Sequence, residues 1–249
     1  MTGFWAIYRR ELWALWVTPV AWILLTTFLL LQGGVFYSIV LHFSGATELS
    51  FDNGPIESYF GQGSIFLLMT LLLMCPALSM RSFAEEQRSG TIEPLLTAPV
   101  RASAIVLGKY LATFTTYLLM WSPTLLYPVI LRGTGVVDPW VVASSYLGLA
   151  LLGAAYLAIG TLMSALTKSQ LAALMLSVLL QFGIFVLGVG EYIFEPGPLH
   201  ALCSHVSMLS HMEEFSKGIV DLRRIVFDLS LVILALFVTT EVVDSWRWS

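Results

Sequence analysis

The sequence predicts an all-α polytopic membrane protein with six transmembrane helices. Three observations carry that prediction. Of its 249 residues 57% are hydrophobic and only 11% are charged, whereas a soluble domain carries about 25% charged residues. Apolar runs of about 20 residues, long enough to cross a bilayer, recur along the whole length. These runs do not alternate between polar and apolar residues, which argues against a membrane β-barrel. No separate soluble domain is indicated, so residues 1–249 are read as a single transmembrane domain.

The elements follow in order. Residues 4–18 hold Trp5, Tyr8, Trp13 and Trp16 beside Arg9, Arg10 and Glu11. Aromatics mixed with charges suit the headgroup layer, so this segment is read as an interfacial helix. The apolar run after it is too long for a signal-peptide core and no small-residue cleavage site follows, so it is expected to be retained. Pro19 opens the first span, about 20–42, and an acidic loop with Glu48, Asp52 and Glu57 follows. The second span is expected at about 60–80, a charged segment at 81–99, and the third span at about 102–131. Pro123 and Pro128 predict a bend in that third span, because the freed carbonyls must find other donors. The fourth and fifth spans are expected at about 139–166 and 170–190. A mixed segment, 191–222, precedes the sixth span at about 225–243.

Six spans put both termini on one side. If that side is cytoplasmic, it holds Arg9, Arg10, Arg81, Arg88, Arg101, Lys109, Lys168 and Arg247, against Arg132, Lys217, Arg223 and Arg224 opposite. The excess predicts cytoplasmic termini in an inner or plasma membrane.

The segment 81–99 is the longest polar stretch in the chain. Each charge at bilayer depth costs ~2.5–3.5 kcal/mol, so it must lie outside the hydrocarbon. It reads as a short helix, a break at Gly90 and a second helix capped by Thr91, with Glu93 near the positive end. Pro94 is tolerable there because it falls in the first turn. Arg81, Glu85 and Arg88 can share one helix face by their spacing. Glu86 is expected to point elsewhere and to be free to meet a partner. Such a structured, charged hairpin suggests a docking device.

Other chemistries are disfavoured. A phosphate-binding loop needs G-x-x-x-x-G-K-[ST]. The only Gly-Lys pair is Gly108-Lys109, with Ser103 in place of the first glycine and Tyr110 in place of the hydroxyl residue, so unaided ATP hydrolysis is not expected. His200, Cys203, His205 and His211 fit no standard metal spacing, and no metal is expected. Cys75 and Cys203 indicate no disulfide framework. His42, Lys109 and Asp228 sit near span ends and are expected to reach an interface, which leaves the span interiors almost free of ionisable groups and counts against a gradient-driven carrier. Spans two and five carry Gln62, Thr70, Ser79, Ser177 and Gln181 among apolar residues, with Met69, Met74, Met163 and Met175 nearby. A mostly apolar pathway suits a lipidic or amphiphilic cargo, while any single one of these residues reads best as helix packing. The same holds for Gly148, Gly153 and Gly160.

The stretch from Phe83 to Val100, FAEEQRSGTIEPLLTAPV, followed by Ile105-Val-Leu-Gly-Lys109, closely resembles the signature of ABC-2 type transporter permeases. The tail from His211 to Arg224, HMEEFSKGIVDLRR, resembles the branch related to the gliding-motility permease (GldF-like). Gln87 and Pro94 are small departures from the pattern. The resemblance implies an ABC-2 (type II exporter-like) permease fold in which the 81–99 hairpin docks on a separate ATP-hydrolysing subunit. Carried over by position, Arg81, Glu85, Glu86, Arg88, Gly90, Thr91 and Glu93 form that coupling element. Arg9, Arg10 and Glu11 belong to the interfacial connecting helix, and 191–222 is an outward re-entrant segment. No cofactor is expected on this chain, since ATP and Mg would sit on the partner.

One coupling hairpin per chain predicts two permeases, identical or paralogous, with two ATPases in a lipid membrane and no nucleic-acid partner. Export of a lipidic or amphiphilic substrate is the expected activity. The competing reading is an assembly or mechanotransmission factor acting on an extracytoplasmic partner through 191–222.

Overall fold

The computed structural model describes residues 2–44, 54–62, 64–92, 100–132 and 137–246. Glu48, Asp52, Glu93, Pro94, Arg247 and the second helix expected in the 81–99 segment lie outside the described residues. Among those described, all regular structure is helical.

Helix α1 (Thr2–Val17) and helix α2 (Pro19–Phe43) are separated by Thr18 in an extended conformation. The ring and missing N–H of Pro19 bar a continuous helix here, and the same residue suits the first turn of α2. Thr18 Oγ1 donates back to Leu15 O at 2.8 Å. A π-helical turn, Ser58–Gln62, leads to α3 (Ser64–Ser79). The short α4 (Ala84–Ser89) ends at Gly90, whose φ of +71° is the left-handed conformation that favours glycine. Helix α5 (Ala102–Trp121) passes into a 3-10 interval, Ser122–Leu125, and resumes as Leu126–Leu131. The proline bend expected in this span is thus realised as a local change of helix type.

Helix α6 (Pro139–Leu166) is capped by Asp138, whose Oδ1 accepts from Trp140 N at 2.9 Å. Then come α7 (Gln170–Val189), α8 (Pro198–Val206), α9 (Met208–Ser216) and α10 (Leu222–Ser245). Asp221 caps α10 by accepting from Arg223 N at 2.8 Å.

Among the described residues, six helical stretches are long and apolar enough to cross a membrane: Pro19–Phe43, Ile65–Ser89, Ala102–Leu131, Pro139–Leu166, Gln170–Tyr192 and Leu222–Ser245. Helix α6 is the centre of the bundle, with 72% of its most apolar window buried, against 17% for the corresponding window of α2 and 22% for that of α10. Small residues permit that central position. A Cβ at Gly153 would enter the Tyr117 ring, so α5 and α6 approach closely only because Gly153 has none. Buried hydroxyls and amides bridge the helices, where the hydrocarbon offers no water. Tyr117 donates to Leu149 O at 2.9 Å, Tyr110 to Ala154 O at 3.1 Å, and Gln181 Nε2 to Tyr156 O at 2.9 Å. Ser79, Ser177 and Gln181 are fully buried inside the single chain, and so act in packing.

Two expectations are corrected. Lys109 and Asp228 do not reach an interface: they are 1% and 0% exposed. Each lies about two turns inside its helix with the side chain turned into the bundle. Their position along the chain did not show this, because what decides exposure is which neighbour covers the helix face.

Candidate functional site

At one end of the bundle a small apolar cluster seats the charged segment. Ile7 of α1, Phe83, Ala102, Ile105 and Val106 of α5, Ala165 of α6 and Val243 of α10 pack together. Phe83 is fully buried and meets the Trp246 ring edge-on at a centroid distance of 6.0 Å. Ser164, near the end of α6, then organises the start of α4. Its Oγ accepts from Phe83 N at 3.0 Å and Ala84 N at 3.1 Å, and donates to Met80 O at 2.9 Å. Gln87 Nε2 donates to Ala165 O at 2.8 Å. The first turn of α4, with its unpaired backbone donors, is therefore fixed to the central helix by side chains from both sides.

Beside this anchor lies a four-member charge network. Lys109 Nζ is 3.1 Å from Glu11 Oε1 and 3.0 Å from Glu86 Oε2, and donates to Ser82 O at 2.7 Å. Its hydrogen bonds go to Glu11 and Ser82, so the approach to Glu86 Oε2 is an ionic contact without hydrogen-bond geometry. The ammonium also stands 5.2 Å from the Phe83 ring centroid, a favourable cation–π distance. Arg10 Nη2 closes the circuit with Glu11 Oε1 at 2.6 Å and Glu86 Oε1 at 2.7 Å. Two cations and two carboxylates balance, which offsets the cost of burying the lysine at 1% exposure.

The electrostatics of Glu11 follow from this geometry. Burial alone would raise its pKa, but Lys109 and Arg10 outweigh that and hold the carboxyl below the usual range. Burial would lower the Arg10 pKa, and its bonds to Glu11 and Glu86 raise it instead.

The residues singled out in the sequence divide into two groups. Arg10, Glu11 and Glu86 converge on Lys109. Arg9, Arg88, Gly90 and Thr91 are exposed and stand outside the network. Arg81 and Glu85 form a pair of their own at 2.8 Å, with exposures of 25% and 45%. Glu85 does not pair with Arg88 among the described residues. Thr91 Oγ1 meets Ser89 Oγ at 2.8 Å, and Glu93 lies outside the described residues.

The expectation that Glu86 is free for a partner is corrected: it is 15% exposed, bonded to Arg10 through Oε1 and in ionic contact with Lys109 through Oε2. Lys109 and Ser164 were missed as site residues. For Lys109 the signal was present, since a charge two turns into an apolar run demands a carboxylate and Glu11 and Glu86 sit on adjacent amphipathic segments. Nothing in the sequence marks Ser164 among the other small residues of α6.

A cleft of about 310 Å³ opens beside the network, lined by Arg10, Glu11, Arg81, Glu85, Glu86 and Lys109 together with apolar residues of α1. A family model described as ABC-2 family transporter protein matches residues 42–237. The chain belongs to the ABC-2 transporter family. Family membership makes it a multi-pass permease subunit of an ABC transporter, a class that pairs with an ABC ATPase and is generally not itself catalytic. The matched region contains Glu86, Lys109 and Ser164, while Arg10 and Glu11 precede it. No match was found among curated proteins.

The histidines of the 191–222 segment are dispersed. His200, Cys203 and His205 lie on α8 and His211 on α9. Cys203 and His211 are buried, while His205 is exposed. No three His, Cys, Asp or Glu residues are grouped as a metal site among the described residues.

Proposed function

We propose that this ABC-2 permease exports a lipidic or amphiphilic substrate, driven by a separate ATPase that docks on the 81–99 segment. The observation that carries the reading is Lys109, buried to 1% and held by Glu11 of α1 and Glu86 of α4. A push on α4 reaches both α1 and the start of α5 through this one ammonium. Packed elements joined by a balanced charge network move as a body, because separating them strands a buried charge. Arg81, Glu85 and Arg88 remain as the accessible charges for the ATPase. Gly90 supplies the break, and Thr91 follows it; Glu93 is assigned to the coupling element from its sequence position alone.

The assembly is two permeases, identical or paralogous, with two ATPases. ATP and Mg belong to the partner. The termini face the cytoplasm of an inner or plasma membrane. The likeness of the His211–Arg224 tail supports assignment to the gliding-motility-related (GldF-like) branch. Large apolar side chains on α2, α7 and α10, among them Leu30, Leu179 and Phe237, are exposed. They supply the lipid-facing and permease-to-permease surfaces that a lipidic cargo would traverse. Burial of α9 within the bundle favours a gate over a platform for an external partner, which sets this reading ahead of mechanotransmission.

Single-thiol labelling in a chain lacking Cys75 and Cys203 tests the orientation. Arg88→Cys should react with an impermeant reagent only after permeabilisation, and Leu199→Cys should react from outside. Labelling of Arg88→Cys from outside overturns the docking assignment. Reconstitution with the co-purified ATPase should give ATP-dependent movement of a fluorescent lipid. ATP turnover that responds to the permease without any lipid movement would favour the mechanical alternative.

A further inference from the structure

The other end of α10 carries a second buried polar group that the coupling network does not use. Val243 packs in the apolar cluster beside Phe83. Asp228 lies fifteen residues earlier on the same helix, about 22 Å away along its axis. Asp228 is 0% exposed and its Oδ1 is 3.7 Å from Nδ1 of His211, also 0% exposed, on α9. Neither Asp228 oxygen nor His211 Nδ1 has a hydrogen-bond partner, and the buried Tyr156 hydroxyl, within electrostatic reach of Asp228, has none.

The tautomer of His211 follows from its other nitrogen. Nε2 is 3.3 Å from His205 O. A carbonyl only accepts, so Nε2 carries the hydrogen. In a neutral imidazole Nδ1 is then a bare acceptor, aimed at a carboxylate that is also an acceptor. Two facing lone pairs and an uncompensated buried anion form an unfavourable arrangement. One proton removes both faults, either as imidazolium facing carboxylate or as imidazole facing carboxylic acid.

No neighbouring cation can take its place. Arg224, four residues before Asp228 on α10, is bound to Glu214 at 3.1 Å and to Ser204 O at 2.6 Å. Lys217 is bound to Glu213 at 2.7 Å, and Arg223 is exposed. The remaining titratable groups on the surrounding elements are acids, phenols, the thiols Cys75 and Cys203, His200, the exposed His205, and Lys109 of α5, which is held by Glu11 and Glu86 in the coupling network. Glu191 accepts the Ser210 hydroxyl, and Glu57 lies near Lys217. Tyr59, Tyr146, Tyr156 and Cys75 bring no positive charge.

We propose that His211 and Asp228 form a proton-binding site, and that the bound proton seats α9 against α10. The proton comes from the aqueous phase, and its uptake takes the pair from a net charge of −1 to zero. It belongs to the pair as a unit and not to either residue. Helix α9 is the element so held. Its Met208, Met212 and Phe215 are buried, and Ser144 of α6 donates to Phe215 O at 2.7 Å. Loss of the proton would leave a lone carboxylate under α9, and admitting water by lifting α9 is the available relief.

The experiment uses the full chain in nanodiscs. Nitrogen-15 histidine spectra, with the His211 signal assigned by its loss in His211→Gln, read the imidazole. Infrared spectra read a carboxylic-acid band that Asp228→Asn should remove. At neutral pH the pair should hold one proton by one of these two signatures. In a chain lacking Cys75 and Cys203, the labelling rate at Met212→Cys is divided by that at the exposed Leu199→Cys, which cancels the titration of the thiol. That ratio should rise with pH by up to about tenfold per unit, the limit for one linked proton. In Asp228→Asn, whose amide can donate to Nδ1 without a charge, the ratio should stay low and flat. A neutral imidazole facing an ionised carboxylate at neutral pH overturns the proposal. So does a ratio that stays flat through the pH at which the pair loses its proton. Both spectra are recorded on the parent chain, and in them the variants serve only to assign the signals.

Discussion

Replacing Glu86 by alanine should destabilise the permease, whereas the same change at its neighbour Glu85 should not. Glu86 is 15% exposed and its Oε2 lies 3.0 Å from a lysine that is 1% exposed. Removing one partner of a buried ion pair costs ~3–5 kcal/mol, because the other charge is left in a poor solvent. Here Glu11 still holds Lys109 at 3.1 Å, so about 2–3 kcal/mol is expected, below the full cost of an unpaired charge. For a chain of this length each kcal/mol moves the unfolding midpoint by about 2–4 °C, which gives a fall of about 4–12 °C. Glu85 and Arg81 are 45% and 25% exposed. A pair so open to solvent is worth at most about 1 kcal/mol, or a few degrees. The assay is thermal unfolding of the purified chain followed by tryptophan fluorescence, which eight tryptophans make practicable. Lys109→Met combined with Glu86→Gln removes one charge of each sign and should recover part of the loss, with a coupling of roughly 1–3 kcal/mol. Equal midpoint shifts for Glu85→Ala and Glu86→Ala, or strict additivity in the double variant, would refute the assignment of Glu86 to the buried network.

Three further outcomes follow from the same geometry. Glu85→Lys should leave the unfolding midpoint within a few degrees of the parent but abolish the response of ATP turnover to the permease; retained coupling would show that Glu85 is not at the contact. Gly90→Ala should cost about 1 kcal/mol, since φ is +71° although no atom obstructs the new methyl; an unchanged midpoint would mean that the turn readjusts. Acid should release α1. The Glu11 carboxyl is held below its ordinary value of 4.5, so its stabilising contribution is complete above that pH and is lost as pH falls through the lowered value. The labelling rate of a thiol at Ile7, which is 7% exposed, divided by that of an exposed thiol to cancel thiol titration, should rise on that acid side, and a ratio that falls in acid would reverse the sign and sink the argument.

The sequence alone determined that this is a six-span helical membrane protein, because apolar length and scarcity of charge are properties of composition and need no folding to be read. The break at Pro19, the proline interval in the third span and the left-handed Gly90 were equally legible, since each follows from the backbone chemistry of one residue. The tertiary structure decided which of the charges on α4 are free. Glu85 and Glu86 are adjacent and chemically alike, yet one faces solvent and the other faces Lys109, because α1 packs along α5 and brings Arg10 and Glu11 beside Lys109 and Glu86. That contact joins residues 76 to 98 positions apart, beyond any periodicity along one helix. The pairing of His211 with Asp228 is of the same kind. An ionisable residue in an apolar run announces a cost, but whether it is met by snorkelling to an interface or by a buried partner depends on which helix packs against it.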